Sequence, residues 1–378
     1  MADLKTPSMM LVSQEEYEDE RRLCCFNIQQ KRAKNMSTKL QNSRFFGSSH
    51  GWVMVLDERA DPYLLNPFSY ARIRLPPKET FPHILGVSKG YDNQHFIVDY
   101  WYEGLVVRRQ LSIKELQCGL VIKGVLSSDP SRNMNSYKVI VIYGYESKLA
   151  FFNYRDSSWT DLDGNHGPYS DIMWHNNQLF ALSDKGSIEV WDFENPRSMK
   201  TMVIQPFFPG KSWRSTEGLY SSRCYLVESS GELLLVVRYV GEFVGHDGVP
   251  VYEADLLTDE DTHPLVCPYR TLQFHVYKLS FIKNKWVEVD GLEDRALFVG
   301  GNHSMSISAL DFPECKKNSI YFTDDYLERI NEDYLYGGHD LGVFSLEDSS
   351  VEPFYPCDSE RIEPPPIWLV PTPCVVIN

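Results

Sequence analysis

The chain has 378 residues, 43% of them hydrophobic and 13% aromatic, which is enough to bury a sizeable core and too apolar for global disorder. Its formal net charge of −15, from 52 acidic against 37 basic residues, repels phosphate, so neither nucleic acid nor an anionic membrane is an expected partner. No apolar run approaches the ~20 residues of a membrane-spanning helix. The eight cysteines are scattered behind an N-terminus without a signal-peptide pattern, so reduced thiols in the cytoplasm or nucleus are expected.

Along the chain the pattern is short strands punctuated by turns, and no helical periodicity of ten or more residues stands out. Met9 to Asn27 is an end segment whose acidic stretch Glu15 to Arg22 predicts a solvated loop. Gly51-Trp52-Val53-Met54-Val55-Leu56 predicts a strand, closed by a turn over Asp57 to Pro62. Tyr63 to Leu65, the turn Asn66-Pro67 and Ala71 to Leu75 complete a first group near 43–77. Ile84 to Val87, Phe96 to Tyr102 and Leu105 to Gln110 make a thinner group near 82–112. Gly119 to Leu126, Lys138 to Tyr143, Leu149 to Tyr154 and Trp159 to Leu162 make a fuller one near 116–163. Further groups follow near 170–205, 222–290 (with an acidic insertion over Gly241 to Thr271) and 294–355, leaving Ile367 to Val370 at the far end.

The groups repeat. Trp159-Thr-Asp-Leu-Asp163-Gly164 and Trp286-Val-Glu-Val-Asp290-Gly291 each follow an aromatic-rich strand and a tight turn. Their tryptophans stand 286 − 159 = 127 residues apart, three periods of about 42. A period of about 40 to 50 in an all-strand chain means propeller blades. The expected fold is therefore all-β: a single β-propeller of seven blades, with six as the alternative. Its N- and C-terminal strands share one blade, so that neither end leaves an open sheet edge.

Several motifs hint at chemistry, and each fails on context. Gly47-Ser48-Ser49-His50-Gly51 fits the G-x-S-x-G elbow of serine hydrolases, which needs a strand before it and a helix after it; Trp52 to Leu56 reads as a strand. Gly210-Lys211-Ser212 ends like a phosphate loop, but Gln205 stands where that motif needs glycine. Asp161-Leu-Asp163-Gly164-Asn165 has its glycine two places too early for a calcium loop. Val190-Trp191-Asp192 carries the WD dipeptide once only. The ten histidines show no zinc-ligand spacing, so no metal, cofactor or catalytic residue is expected. Contact residues are better candidates: Phe207, Phe208, Trp213 and Arg214 lie in a connector between blades, and aromatics and arginine anchor interfaces. The loop Asp324 to Asp340, with Tyr326, Tyr334 and Tyr336 among acidic residues, reads as a solvated insertion or as a dock for a basic partner.

Gly47-Ser-Ser-His-Gly-Trp52, Leu65-Asn-Pro67 with Ile73-Arg-Leu-Pro76, Leu149 to Trp159 and Ile188-Glu-Val-Trp-Asp192 form an ordered series. Gly231-Glu-Leu-Leu-Leu-Val236, Leu297-Phe298-Val-Gly300, Ile320-Tyr-Phe-Thr-Asp324 and Ile367-Trp-Leu-Val-Pro371 continue it. The series resembles the plant KIB-type β-propeller proteins, many of them F-box proteins, over nearly the whole chain. The resemblance implies a propeller that recognises other proteins, in typical members as substrate receptor of an SCF-type ubiquitin ligase, with no catalytic residues to carry over. Met1 to Asn42 is similar to the segment that follows the F-box, and no Leu-Pro-x-x-Leu module precedes it, which puts binding of a Skp1-like adaptor in doubt.

The expected organisation is thus an N-terminal strand segment over 1–42 and a propeller over 43–378. The expected function is a monomeric, non-catalytic protein-binding module related to ligase receptors but without an F-box. The first alternative is an F-box receptor with a truncated N-terminus, and a remote one is a serine hydrolase at Ser49.

Overall fold

The structure is a computed structural model that describes residues 8–15, 18–27, 32–39, 42–90, 95–132, 136–162, 167–194, 200–204, 219–245, 248–252, 266–283, 285–326, 340–354, 362 and 364–369. The first strands are β1 (Ser8–Glu15), β2 (Glu18–Asn27) and β3 (Arg32–Lys39). Glu18 to Arg22, expected in a loop, pair instead within β2, with Arg22 opposite Ser13 and Glu18 opposite Glu15. Pairing on a ladder overrides the preference of a charge run for solvent.

A second sheet holds β4 (Arg44–Ser49), β5 (Trp52–Leu56), β6 (Pro62–Leu65) and β7 (Arg72–Arg74). Its turns follow from asparagine-type side chains. Asp57 Oδ1 accepts the amides of Arg59 and Asp61 at 2.8 Å each, and Asn66 Oδ1 those of Phe68 and Ser69 at 3.0 and 2.9 Å.

The third sheet has three strands, β8 (Ile84–Lys89), β9 (His95–Tyr102) and β10 (Leu105–Ser112), in the order β10-β9-β8. After it comes helix α1 (Ile113–Leu120), an element absent from the sequence expectation, which ran a strand back to Gly119. A capping box starts the helix: Ser112 Oγ accepts from Glu115 N at 3.3 Å, and Ser112 N donates to Glu115 Oε2 at 2.7 Å. Eight residues are too few for periodicity to show, but Ser-x-x-Glu was legible.

Four sheets follow. One holds β11 (Val121–Leu126), β12 (Lys138–Tyr143), β13 (Lys148–Asn153) and β14 (Thr160–Leu162). The next holds β15 (Tyr169–His175), β16 (Gln178–Ser183), β17 (Ile188–Asp192) and β18 (Lys200–Ile204). Then come β19 (Tyr220–Ser229), β20 (Glu232–Gly245), β21 (Val266–Ser280) and β22 (Lys285–Glu288). Both ends of the segment expected as an insertion lie in a lengthened β20–β21 hairpin, Glu242 opposite Tyr269 and Gly245 opposite Val266. The last of the four has five strands in the order β24-β23-β25-β26-β27: β23 (Arg295–Val299), β24 (Met305–Ser308), β25 (Ser319–Phe322), β26 (Gly342–Ser345) and β27 (Val351–Pro353). Its β23 and β25 run parallel.

The final strand, β28 (Ile367–Leu369), pairs antiparallel with β1, Met9 opposite Trp368. The two ends of the chain thus complete one sheet, and the fold is the β-propeller expected from the repeat.

The described strands form seven sheets, and six of them contribute to an inner circle. Packing runs from β28 to β4, β11, β15, β19 and β24, and hydrogen bonds between Asn302 and Trp368 lead back to β28. β4 meets β11 so closely that a Cβ on Gly47 would stand 2.4 Å from the Gly124 carbonyl oxygen. The three-stranded sheet stands outside this circle. Its Val98, Tyr100 and Leu111 join one apolar cluster with Leu64, Leu116, Tyr143 and Trp159, wedged between the sheets of β4 and β11. Trp159, the repeat tryptophan, stacks on Phe81 at 4.7 Å and donates from Nε1 to the Pro76 carbonyl at 3.0 Å.

Candidate functional site: the axial mouth

The residues that face the middle of a propeller come from the first strand of each blade, which normally reads as alternating apolar and small side chains. Two of these strands meet through buried charges of opposite sign. Lys123 of β11 places Nζ 2.5 Å from Asp171 Oδ1 of β15, with side chains 6% and 1% exposed. Asp171 Oδ1 also accepts from the Ile172 amide at 2.8 Å, and Oδ2 from the Leu226 amide of β19 at 2.6 Å. Lys123 Nζ reaches the Gly300 carbonyl at 3.4 Å. One ion pair therefore ties three inner strands and the end of a fourth sheet. Burial raises the Asp171 carboxyl above the usual range, against the lowering effect of Lys123 and the two amides. Such a pair is costly to desolvate and costlier to break, so it fixes the relative position of the strands.

On the other side of the circle, Asn302 closes the ring. Its Nδ2 donates to Ser48 Oγ at 3.1 Å and to the Trp368 carbonyl at 3.0 Å, while its Oδ1 accepts from the Trp368 amide at 3.0 Å. Ser48 Oγ donates to the same carbonyl, and Trp368 Nε1 to the Val299 carbonyl at 2.9 Å. The Gly-Ser-Ser-His-Gly motif thus has a structural use for Ser48. Ser49, the remote nucleophile candidate, is buried opposite Trp52 in the β4–β5 hairpin, and the turn after it leads into a strand rather than a helix. Next to Asn302, burial first and the Lys123 charge second push His303 down to about 3, so its imidazole is neutral.

A cavity of about 300 Å³ opens at the mouth where β11, β15 and β19 begin. Lys123 and Tyr225 line it together with Asp184, Arg223, Cys224 and Asp325. The wall is a polar cluster centred on Arg238, 1% exposed, which donates to Asp340 Oδ2 at 2.7 Å, Asp325 Oδ1 at 3.1 Å and the Thr323 carbonyl at 2.9 Å. Tyr225 donates to Asp325 Oδ1 at 3.0 Å, and the Arg223 guanidinium lies 4.6 Å over the Tyr326 ring. Burial, and after it the Asp171 charge, pushes the Cys224 thiol up to about 12, which leaves it protonated and a poor nucleophile. Asp184 is exposed at the rim. Fixed dipoles and charges of both signs around a rigid cavity suit recognition of a polar group on a partner.

Phe207, Phe208, Trp213 and Arg214 lie outside the described residues, as do Gly210 to Ser212 and Asp163 to Asn165. Of the loop over Asp324 to Asp340, only its stems are described, and both belong to the Arg238 cluster. Lys123, Asp171, Arg238 and Asn302 were missed by sequence reasoning. The available signal was a charge inside an apolar run, as in Val121-Ile-Lys123-Gly-Val-Leu126 and Leu233-Leu-Leu-Val-Val-Arg238.

Comparison with known proteins finds relatives for most of the chain. The family described as KIB1-4 beta-propeller matches residues 21–345. F-box protein SKIP23 of Arabidopsis thaliana is 28% identical over 343 residues, covering 85% of this chain and 74% of its own. Putative F-box protein At5g55150 is 27% identical over 244 residues (63% and 57%), and F-box protein KIB2 is 25% identical over 304 residues (79% and 56%), both from the same plant. Outside SKIP23, then, the chain spans little more than half the length of these relatives. Among solved structures, the beta-propeller domain of Myceliophteria thermophila Cps50 (Swd1) is similar over 77% of this chain and 89% of its own, at 9% identity and a TM-score of 0.31.

Proposed function

The chain belongs to the KIB1-4 β-propeller family, and from that premise we propose that it is a non-catalytic interaction module. On this reading the axial mouth receives a partner protein, as the substrate-binding part of an F-box-type receptor does. The observation that carries the reading is the closed ring with a charged mouth of fixed geometry. Strands held by Lys123–Asp171 and by Asn302 lose little freedom on binding, and preorganisation of that kind lowers the entropic cost of association. The relatives bear the name of F-box proteins, which supports a place in the ubiquitin system; binding to a Skp1-type adaptor belongs to the same proposal. Cys224 and Cys315 are thiols outside any disulfide, which supports a reducing compartment, the cytoplasm or the nucleus.

Affinity purification of the chain from plant tissue, run with and without a co-expressed Skp1-type adaptor, tests this reading. A protein partner recovered with the wild type and lost from Asp184→Arg is the expected result. Recovery of the adaptor would place the chain inside a ligase. Equal recovery of every protein by wild type and variant would overturn the mouth as the binding surface.

A further inference from the structure

The three-stranded sheet outside the inner circle has a feature that the ring sheets lack. β10 pairs only with β9 among the described residues, through eight consecutive residue pairs with no bulge, from Leu105 opposite Tyr102 to Ser112 opposite His95. The usual protections of a sheet edge are proline, a bulge, a short strand or charged side chains. The bulge of this sheet lies in β8, at the other edge, between Ile84 and Gly86. Among the described residues β10 is left long, regular and unpaired on its outer side, with Arg108 and Arg109 as its charges.

The turn Glu103-Gly104 has φ of 49° and 77°, a type I′ hairpin, which makes Tyr102 and Leu105 a hydrogen-bonded pair. From there the backbone groups of Val106, Arg108 and Gln110 face away from β9. At the hairpin end the side chains are apolar and uncovered: Leu105 is 68% exposed, Val106 58% and Trp101 44%. In the middle stand Arg108 and Arg109, both exposed, with Arg108 paired to Asp99 at 2.6 Å. The strand itself carries no acidic residue, on a chain of net charge −15.

These charges choose the occupant. A second copy joined through β10 near the middle of the strand, outward backbone groups meeting outward ones, would set Arg108 opposite Arg108 or Arg109 opposite Arg109 of the other copy, a like-charge pairing that destabilises a ladder. An acidic segment meets the opposite situation. We propose that β10 is a docking edge for an extended, acidic segment of a partner protein, which adds as an antiparallel fourth strand. Two acidic residues of the segment face Arg109 and Arg108, and the apolar residues that follow them cover Val106, Leu105 and Trp101. Main-chain hydrogen bonds supply affinity and the arginines supply selectivity, as in strand addition generally. This rests on the reading of the chain as a protein-binding module and assigns it a second contact, apart from the axial mouth.

The test uses the purified full chain and a synthetic eight-residue peptide with two adjacent glutamates, then one serine opposite Val107, then two adjacent valines. Hydrogen exchange read by mass spectrometry should show the amides of 105–112 protected when the peptide is added. Arg109→Glu, or a peptide with lysines in place of the glutamates, should weaken binding roughly tenfold. Val106→Pro removes an outward amide without touching a bond to β9, so it should abolish protection while leaving the melting temperature within a few degrees of the wild type. Absent protection, equal protection by the glutamate and lysine peptides, or a dimer in sedimentation that Val106→Pro dissolves would each overturn the proposal. Because no tissue partner enters this test, its failure leaves the axial-mouth reading standing. A chain that binds the peptide and recovers no partner from tissue would count against that reading alone.

Discussion

The inner circle and the three-stranded sheet are made of the same material and held in opposite ways. Around the circle, backbone approaches backbone at Gly47 and Gly124, and Lys123, Asp171 and Asn302 are buried and hydrogen-bonded or ion-paired across strands. The sheet of β8 to β10 buries one face on the ring through Val98, Tyr100 and Leu111 and leaves its other face and its β10 edge to solvent. The lesson is that in this chain polar residues inside determine which strands sit where, while apolar residues outside mark where another chain can be added. Closure consumes hydrogen-bonding capacity at the centre; the sheet beyond it keeps capacity to spare.

The sharpest way to break this comparison is to remove one charge from the circle. Lys123→Met leaves Asp171 buried without its cation and should cost about 3–5 kcal/mol in urea unfolding. The double variant Lys123→Met with Asp171→Leu should recover most of that loss. An additive loss in the double variant would mean that the pair does not act as a unit. No charge of the exposed sheet should show a comparable effect.

Acid probes the seam between the two regions. His83 lies where the chain enters β8, with its ring 5.1 Å from that of Tyr143, and burial first pushes it down to about 4. A folded value below that of the unfolded chain means that the unfolded state takes up the proton first. Stability from this group is therefore complete above about 6.5 and is lost as pH falls toward 4, by about 3 kcal/mol in all. His83→Phe should flatten the stability profile over that window, and a profile unchanged by the substitution would contradict the burial of a neutral imidazole at the seam.

Smaller effects sharpen the picture. Gly47→Ala forces β4 away from the Gly124 carbonyl and should destabilise by about 1–3 kcal/mol, whereas Gly104→Ala, with nothing within 4 Å of its added Cβ, meets only backbone strain at φ 77°. Ser112→Ala removes the cap that starts α1 and should cost about 1 kcal/mol, read by thermal melting. An unchanged melting temperature would show that packing of Leu116 and Leu120 alone holds the helix.

The repeat was legible because blades recur: Trp159 stands just before β14 and Trp286 within β22, each the last strand of its sheet, and asparagine and aspartate announced the turns at 57 and 66. The pairing of the chain ends followed from the need to leave no open edge, and Trp368 beside Met9 is that pairing. Position within the circle was not legible. The group near 82–112 looked thin for want of a fourth strand, but nothing local says that β4 passes it by to pack on β11. Inter-sheet contact is a property of the assembled ring, not of any window of sequence. Helix α1 was missed because eight residues carry too little periodicity, although its Ser-x-x-Glu cap was present. The Lys123–Asp171 pair joins residues 48 positions apart, and no spacing rule predicts such a partnership.

The central claim is that a single ring is closed by the two ends of the chain. Deleting the residues from Ile367 onward removes β28, the Trp368 indole and the partner groups of Asn302 and Ser48. Urea unfolding of that truncated chain beside the full one tests the claim directly. The account predicts a single transition shifted to much lower urea, by at least the ~3–5 kcal/mol of a buried tryptophan removed alone. An unshifted midpoint would contradict closure by the termini.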